Sequence, residues 1–269
     1  MNLHTITENA TSLEILLYAG LMLLLWLTEV VVLSVRFKSK CSHMLTNIKF
    51  IATALPVQLL MTIPLLKISV FMNQHHLGLL YLPYLRHSLL LNMIVGFLIL
   101  DFCDYLYHVI MHKTKPLWKF HLVHHTDQLM DVTTTVREHP GETFCRTCFL
   151  MIWVTFTGAG FSLLLLRQTF QTIVNITSHT SFRLNKKTDK WLGYLFVTPN
   201  IHHVHHHFEL PYTDCNYGDV LSIWDRLFGT YKELEADQTR FGVDVCMDKN
   251  VHEHFVPALK IPFAKSAEK

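Results

Sequence analysis

Charged residues are scarce in this sequence of 269 residues. They make up 16% of it, whereas half of the residues are apolar. Soluble domains carry nearer to a quarter charged residues, so long uncharged runs of this kind point to a protein that crosses a membrane several times. The formal net charge is only +2, and no basic stripe is interleaved with aromatics, which argues against nucleic-acid binding.

Cysteine is also sparse and scattered. Of six cysteines only Cys145 and Cys148 are spaced C-x-x-C, and no second pair accompanies them. One such pair at the edge of an apolar run is better explained as two small apolar residues on a buried helix than as a thiolate metal site.

Three apolar runs are long enough to span a bilayer, at roughly twenty residues per crossing. They cover residues 13–35, 48–72 and 88–111. Glu29, near the end of the first run, is expected to snorkel towards water.

Basic residues follow two of these runs. Arg36, Lys38 and Lys40 come after the first run, which by the positive-inside rule is a cytosolic end with the N-terminus outside. Lysines after residue 111 place the end of the third run on the cytosolic side as well.

Residues 145–182 predict a helical hairpin. The glycines in Gly158-Ala-Gly160 interrupt an apolar run that is short for a full crossing, so we expect a partly re-entrant pair of arms. The predicted fold is therefore an all-α integral membrane protein with about four transmembrane helices, this hairpin included, under a cytosolic helical cap. We predict a two-span anchor over 1–87, a catalytic region over 88–232 and a cytosolic tail over 233–269.

Histidine is abundant, with nineteen residues concentrated in the second half. His108 and His112 are spaced i, i+4 on a predicted helix, so both imidazoles can face one ion. Asp104 lies one turn earlier on the same face. It is placed to accept the free N–H of a ligand histidine and so to fix the tautomer of that ring.

Two copies of the pattern H-x-x-H-H follow, and they consist of His121, His124 and His125, and of His202, His205 and His206. Adjacent histidines on a helix diverge by roughly 100°, which suits two metal ions better than one. A second register starting at His203 is also open. The count of histidines exceeds the four ligands of one tetrahedral zinc, so the sequence predicts a dimetal site.

His179 and Asn175 share one face of the returning arm. His179 is a candidate ligand, and Asn175 is placed to complete a coordination sphere directly or through water. His252 and His254 are expected at the surface. Imidazole suits zinc, iron, copper or nickel, and a site where apolar substrates arrive from the lipid favours redox chemistry without excluding hydrolysis.

These motifs resemble those of the fatty acid hydroxylase/sterol desaturase superfamily. The match consists of D-x-x-x-H-x-x-x-H, H-x-x-H-H and P-x-x-H-x-x-H-H, together with segments like R-x-H-P-x-E at 137–142 and N-Y-G with W-D-x-x-F-G-T at 216–230. It covers about residues 95–232. Pro199 sets the register at His202, and the lone histidine of the family maps onto His179, whereas Asn175 stands where some members have a histidine.

The resemblance implies two iron ions, O2 as co-substrate, and hydroxylation or desaturation of a sterol or fatty acyl lipid. A separate electron donor is then required, cytochrome b5-like or ferredoxin-like. His139-Pro-Gly is rejected as a haem-binding fragment because the second glycine and the cytochrome domain are lacking, whereas His139 itself is kept, with His203, as a possible additional ligand or partner of a ligand. The expected location is a bacterial inner membrane or the endoplasmic reticulum, with the metal site on the cytosolic face.

Three other classes remain open at this point: a dimetal lipid isomerase or hydrolase, a metal carrier, and a non-catalytic lipid-binding relative. A carrier would want ionisable residues along the first two spans, and Glu29 and Lys67 are the main ones there.

Overall fold

The computed structural model describes residues 3–32 and 37–264, with side chains from residue 16 onwards. It is 71% helix, and no strand occurs in these ranges. The helices are α1 Leu3–Val32, α2 Phe37–Gln74, α3 Pro83–Arg86, α4 Leu89–Lys113, α5 Lys115–His125, α6 Pro140–Thr157, α7 Phe161–Ser178, α8 Lys186–Leu192, α9 Pro199–His205, α10 Ile223–Phe228, α11 Lys249–His252 and α12 Phe255–Leu259. Short 3-10 helices cover Leu79–Tyr81, Val132–Val136, Asp244–Cys246 and Ile261–Phe263.

Two helical stretches of the described chain are long and apolar enough to cross a bilayer, Phe37–Tyr81 and Leu89–Lys113. Only 17% and 28% of their most apolar windows are buried inside the protein, so most of this apolar surface faces outwards, as it does in a membrane protein. A shorter apolar helix covers Leu16–Val32. Pro56 and Pro64 lie inside α2, which continues through both of them.

The predicted hairpin is present as α6 and α7. Gly158 ends α6 with φ of 73°, and a Cβ atom there would lie 2.1 Å from the carbonyl oxygen of Leu77, so the turn requires glycine. The Ser69 hydroxyl donates to the carbonyl of Ala159 at 2.7 Å. The tip of the hairpin therefore meets the far end of α2, and one arm, α6, packs along that helix.

We call residues 114–139 and 179–264 the cap, and the first turns of α2 pack against it through Lys40 and His43. Lys40 is buried between Glu29 and Asp131, with Nζ 2.7 Å and 2.9 Å from their carboxylate oxygens. One prediction needs correction here. Glu29 does not snorkel, because it is fully buried and also accepts the Ser181 backbone N–H at 2.6 Å. Of the basic residues used to orient the first run, Arg36 lies outside the described residues, and the orientation itself stays a prediction.

The C-terminal segment packs onto the cap. Ala258 and Ile261 join Trp118 and Leu122 in one apolar cluster. His252, expected at the surface, is instead buried, because Arg137 donates to its carbonyl oxygen at 2.9 Å; His254 is exposed, as expected. The domain boundaries at 87/88 and 232/233 stay predictions.

Candidate metal centre

Nine histidines converge where the C-terminal end of α4 meets the cap. Their ring nitrogens form two groups, and within each group the candidate ligand atoms all lie within 4.8 Å of one another. The first group contains His108, His112, His121, His125 and His205, and the second contains His124, His179, His202 and His206. All nine histidines that the sequence proposed as metal ligands in the register starting at His202 fall in one group or the other.

Adjacent histidines are divided between the two groups, as the helix geometry predicts. His124 and His125 are neighbours on α5, yet their rings stand at 88° to each other. His205 and His206, at the end of α9, stand at 86°. Each pair therefore contributes one ring to each group, because successive residues on a helix point about 100° apart.

Backbone carbonyls fix the rings of the second group. The Nδ1 atom of His124 lies 3.2 Å from the carbonyl oxygen of Arg137, and that of His179 lies 2.7 Å from the carbonyl oxygen of Asn175. A carbonyl can only accept, so each Nδ1 carries the proton in the neutral ring and each Nε2 keeps a lone pair. The two Nε2 atoms lie 3.0 Å apart.

The first group is held in the same way. His108 donates from Nδ1 to the carbonyl of Tyr217 at 2.9 Å, and His205 donates to the carbonyl of Cys215 at 2.7 Å. The Nδ1 atom of His121 lies 2.7 Å from Oε1 of the buried Glu142. The Nε2 atoms of His108 and His121 then face each other at 3.0 Å.

The short distances between Nε2 atoms fit a metal ion that both rings of each pair would bind. Two lone pairs 3 Å apart in a buried site repel each other, and a metal ion between them removes the repulsion. Nitrogens bound at about 2.1 Å and at right angles around one ion are separated by about 3 Å. Nε2 of His205 is buried without a hydrogen-bond partner among the described residues, so the site has a further nitrogen atom free to coordinate.

Burial keeps these rings neutral. It lowers the pKa of His124, His202 and His206 well below the usual range, with neighbouring histidines adding to the effect. The pKa of His179 falls to about 4, mainly through burial. A metal binds the neutral imidazole, so these rings are ready to coordinate without first losing a proton.

Four residues named from the sequence lie outside both groups. Asp104 does not accept a histidine N–H, because both of its oxygens are taken by Arg167; that prediction is wrong, and its physical reason is the nearby guanidinium. His203 binds the Thr180 carbonyl through Nε2 at 2.8 Å and packs on Phe241.

His139 begins α6, where its Nδ1 accepts the Gly141 backbone N–H at 2.9 Å. Asn175 binds His179 only through its backbone carbonyl. Its half-buried side chain lines the cavity beside the histidines. Direct or water-mediated coordination by Asn175 stays a prediction.

Sequence reasoning missed several residues that orient the ligands. Glu142 was quoted only as part of a motif, yet it fixes His121. Asp214 lies 3.2 Å from Nδ1 of His112. Arg137 is fully buried and binds the Val123 carbonyl at 2.9 Å, which ties down the end of α5 next to His124. Of these three residues, Glu142 and Arg137 could have been found from the sequence, because both belong to the R-x-H-P-x-E segment.

A cavity of about 90 Å³ opens beside the two groups. His108, His121, His124, His179 and His202 form one wall, and polar side chains form much of the rest: Asp104, Glu138, Arg146, Gln171, Asn175 and Asp219. Burial raises the pKa of Asp219 to about 6, and the Asp104 carboxylate adds to the shift.

The fold and site define an all-helical class of protein with two candidate membrane spans and two histidine groups that could each hold a metal ion. The family model for fatty acid hydroxylase matches residues 93–230, a stretch that contains all nine histidines. This chain belongs to the fatty acid hydroxylase family, which confirms the resemblance found in the sequence.

Several curated proteins are similar to this region. Ornithine lipid hydroxylase OlsE of Rhizobium tropici is 27% identical over 66% of this chain and 52% of its own length. Alkylglycerol monooxygenase of Caenorhabditis elegans is 31% identical over 51% of this chain and 26% of its own. Sphingolipid C4-hydroxylase SUR2 of Saccharomyces cerevisiae is 27% identical over 61% and 48%.

The matches therefore span about half of the length of these relatives or less. No solved structure matches the chain significantly.

Proposed function

We propose that this protein is a membrane-bound oxidoreductase that hydroxylates a C–H bond of a lipid with O2. The observation that carries the proposal is the pair of buried histidine groups. Within each group, the lone pairs of two Nε2 atoms face each other at 3.0 Å. The relatives whose names describe hydroxylases and monooxygenases of lipids support it. Desaturation, which the sequence left open, would appear as a different product of the same assay.

Two iron ions fit the two groups. The first ion would be held by His108, His112, His121, His125 and His205, and the second by His124, His179, His202 and His206. When bound, iron supplies the redox chemistry that activates O2, which amino-acid side chains cannot supply. A site made only of imidazoles also suits iron.

The chain itself holds the ligands in place. Carbonyl oxygens keep the protons of His108, His124, His179 and His205 on Nδ1, so that Nε2 points into the site. Such partners fix the tautomer and orientation of ligand rings. Burial of the rings excludes bulk water from the metal positions.

The charged side chains that line the cavity indicate which part of a lipid substrate can enter it. An apolar tail in the cavity would displace water from charged side chains such as Glu138 and Arg146 and would offer them no hydrogen bonds in return. Such desolvation costs free energy. We therefore propose an amphipathic lipid whose polar head enters this cavity. The carbon that is oxidised would then lie close to the head rather than at the far end of a tail.

The membrane arrangement is part of the same proposal. The helices α1, α2 and α4 and the hairpin of α6 and α7 would provide about four spans, with the metal centre on the cytosolic side of a bacterial inner membrane or the endoplasmic reticulum. Electrons would come from a separate carrier of the cytochrome b5 or ferredoxin type. Among the described residues, no further cluster of three or more potential metal ligands accompanies the nine histidines, so a second metal site that could pass electrons to them is not part of this proposal.

The test uses the full chain in nanodiscs made from a total lipid extract, loaded with ferrous iron and supplied with O2 and a chemical reductant. A lipid that gains one oxygen atom by mass spectrometry is the expected result. The variants His124→Ala and His205→Ala should abolish it, whereas His203→Ala, a change of the same size at a buried histidine outside both groups, should retain it.

Two outcomes contradict the proposal. The first is an unchanged product from His124→Ala and His205→Ala. The second is a product that forms equally well without O2, which would instead identify a dimetal isomerase or hydrolase.

A further inference from the structure

An exposed apolar surface on the cap lies next to α4. We call it the cap patch, and its residues have exposed fractions from 37% to 75%. They are Trp191, Tyr194, Leu195, Phe196, Leu227 and Phe228. A contiguous apolar surface of this kind on a folded protein marks a contact with a membrane or a partner.

The two segments of the patch are joined by direct contacts. The Ser222 backbone N–H donates to the carbonyl of Leu195 at 3.0 Å, and Phe196 forms an isolated antiparallel bridge with Leu221. The guanidinium of Arg226 lies 4.9 Å from the centroid of the Tyr194 ring. The residues before α9 and those of α10 therefore form one surface.

The patch continues onto a candidate membrane span. The ring of Phe228 stacks on Phe102 and on Tyr105 of α4, with centroids 5.6 Å apart in both pairs. Phe102 precedes the metal-site residue His108 by six positions, which is about 9 Å along a helix. The patch thus extends from the metal centre towards the apolar N-terminal part of α4, residues 89–100.

We propose that the cap patch inserts into the interfacial layer of the bilayer, on the side where the metal centre lies. Trp and Tyr prefer this layer because their rings are apolar and one end is polar. Lys187 and Lys190, both exposed on the adjacent α8, would face anionic headgroups. The proposal goes beyond lipid oxidation and does not depend on the metals.

Trp191 provides a reporter, since it is the most exposed residue of the patch. The full chain is reconstituted in nanodiscs of phosphatidylcholine and phosphatidylglycerol, and its fluorescence is compared with that of Trp191→Phe, so that the difference isolates Trp191. Lipids brominated near the headgroup end of their acyl chains should quench most of this difference, and aqueous iodide should quench little of it.

A matched control places a tryptophan elsewhere on the cap. Leu210 is 52% exposed and lies beyond the end of α4, near Asp214, which binds Lys113 at 2.8 Å. The emission that Leu210→Trp adds to that of the Trp191→Phe protein should be quenched by iodide and not by brominated lipid.

Two results would overturn the proposal. If iodide quenches Trp191 as strongly as it quenches the control, the patch lies in water. If neither reagent reaches Trp191, a protein surface rather than lipid covers the patch. Neither result would alter the oxidation assay, so this inference and the proposed function fail separately.

Discussion

The imidazole rings of His125 and His206 are stacked, with centroids 4.5 Å apart and planes 19° apart, although the two residues belong to different ligand groups. His121 and His124 are also stacked across the groups, with centroids 5.5 Å apart. The two metal positions therefore share a wall of imidazoles, and each group is supported by the other.

Removal of one ligand from the smaller group should empty that position first. His206→Ala leaves three histidines there, so we expect iron-loaded protein to keep roughly one ion per chain instead of two. Metal analysis of the purified protein checks this. His203→Ala should retain both ions, and a wild-type protein that binds only one ion under iron loading would disprove the two-site arrangement.

Glu142 should matter for metal affinity although it does not belong to either group. Glu142→Gln removes the negative charge that orients and polarises His121, and loss of such a partner weakens metal binding by about 10- to 100-fold. Competition with a chelator measures the change. Glu138→Gln is the control, because Glu138 pairs with Arg146 rather than with a histidine; equal affinities for the two variants would contradict the assigned role.

Lys40 should be a strong determinant of stability. Lys40→Met leaves the Glu29 carboxylate buried without its cation and leaves Asp131 with His43 alone, and breaking a buried pair in this way costs about 3–5 kcal/mol. Lys38 is exposed two residues earlier, so Lys38→Met should change the free energy of unfolding by less than about 0.5 kcal/mol. Denaturant unfolding in detergent compares them, and similar effects would argue against the buried network.

The metal-free protein should lose stability as the pH falls. Burial lowers the pKa of His203 from 6.5 to about 3, so between these values the unfolded chain binds a proton that the folded chain does not. The free energy of unfolding then decreases as the pH falls from about 6.5 towards 3.

The variant that isolates this effect is His203→Gln, because an amide can still donate to the Thr180 carbonyl and does not titrate in this range. Its stability should depend less steeply on pH than that of the parent when both are unfolded by denaturant without metal. An identical pH dependence would show that His203 is not responsible.

Much of the site could be predicted from spacing alone. The i, i+4 pair His108 and His112 and the two H-x-x-H-H patterns require only that helices form, and α4, α5 and α9 supply them. The division of His124 and His125 between two groups also follows from helix geometry. The turn at Gly158 was readable as well, since glycine is favoured where φ is positive.

Other assignments failed because they depend on partners far away in the sequence. Asp104 was assigned from its position one turn from His108, but Arg167, on another helix, takes its carboxylate. Glu29 and His252 are buried by contacts with residues more than a hundred positions away, Ser181 and Arg137. Neither the composition nor the periodicity of the sequence gives information about contacts between such distant residues.

The sequence by itself determined the family, the helical class and the nine histidines, because these depend on residue types at short fixed spacings. Tertiary structure alone decided which rings from different helices meet in each group and which atoms hold each ring. It also placed Phe228 against Phe102 and thereby joined the cap patch to a membrane helix. The physical reason is the same in each case: a ring nitrogen, a carbonyl or an exposed aromatic acquires its role from neighbours that only the folded chain brings within a few ångströms.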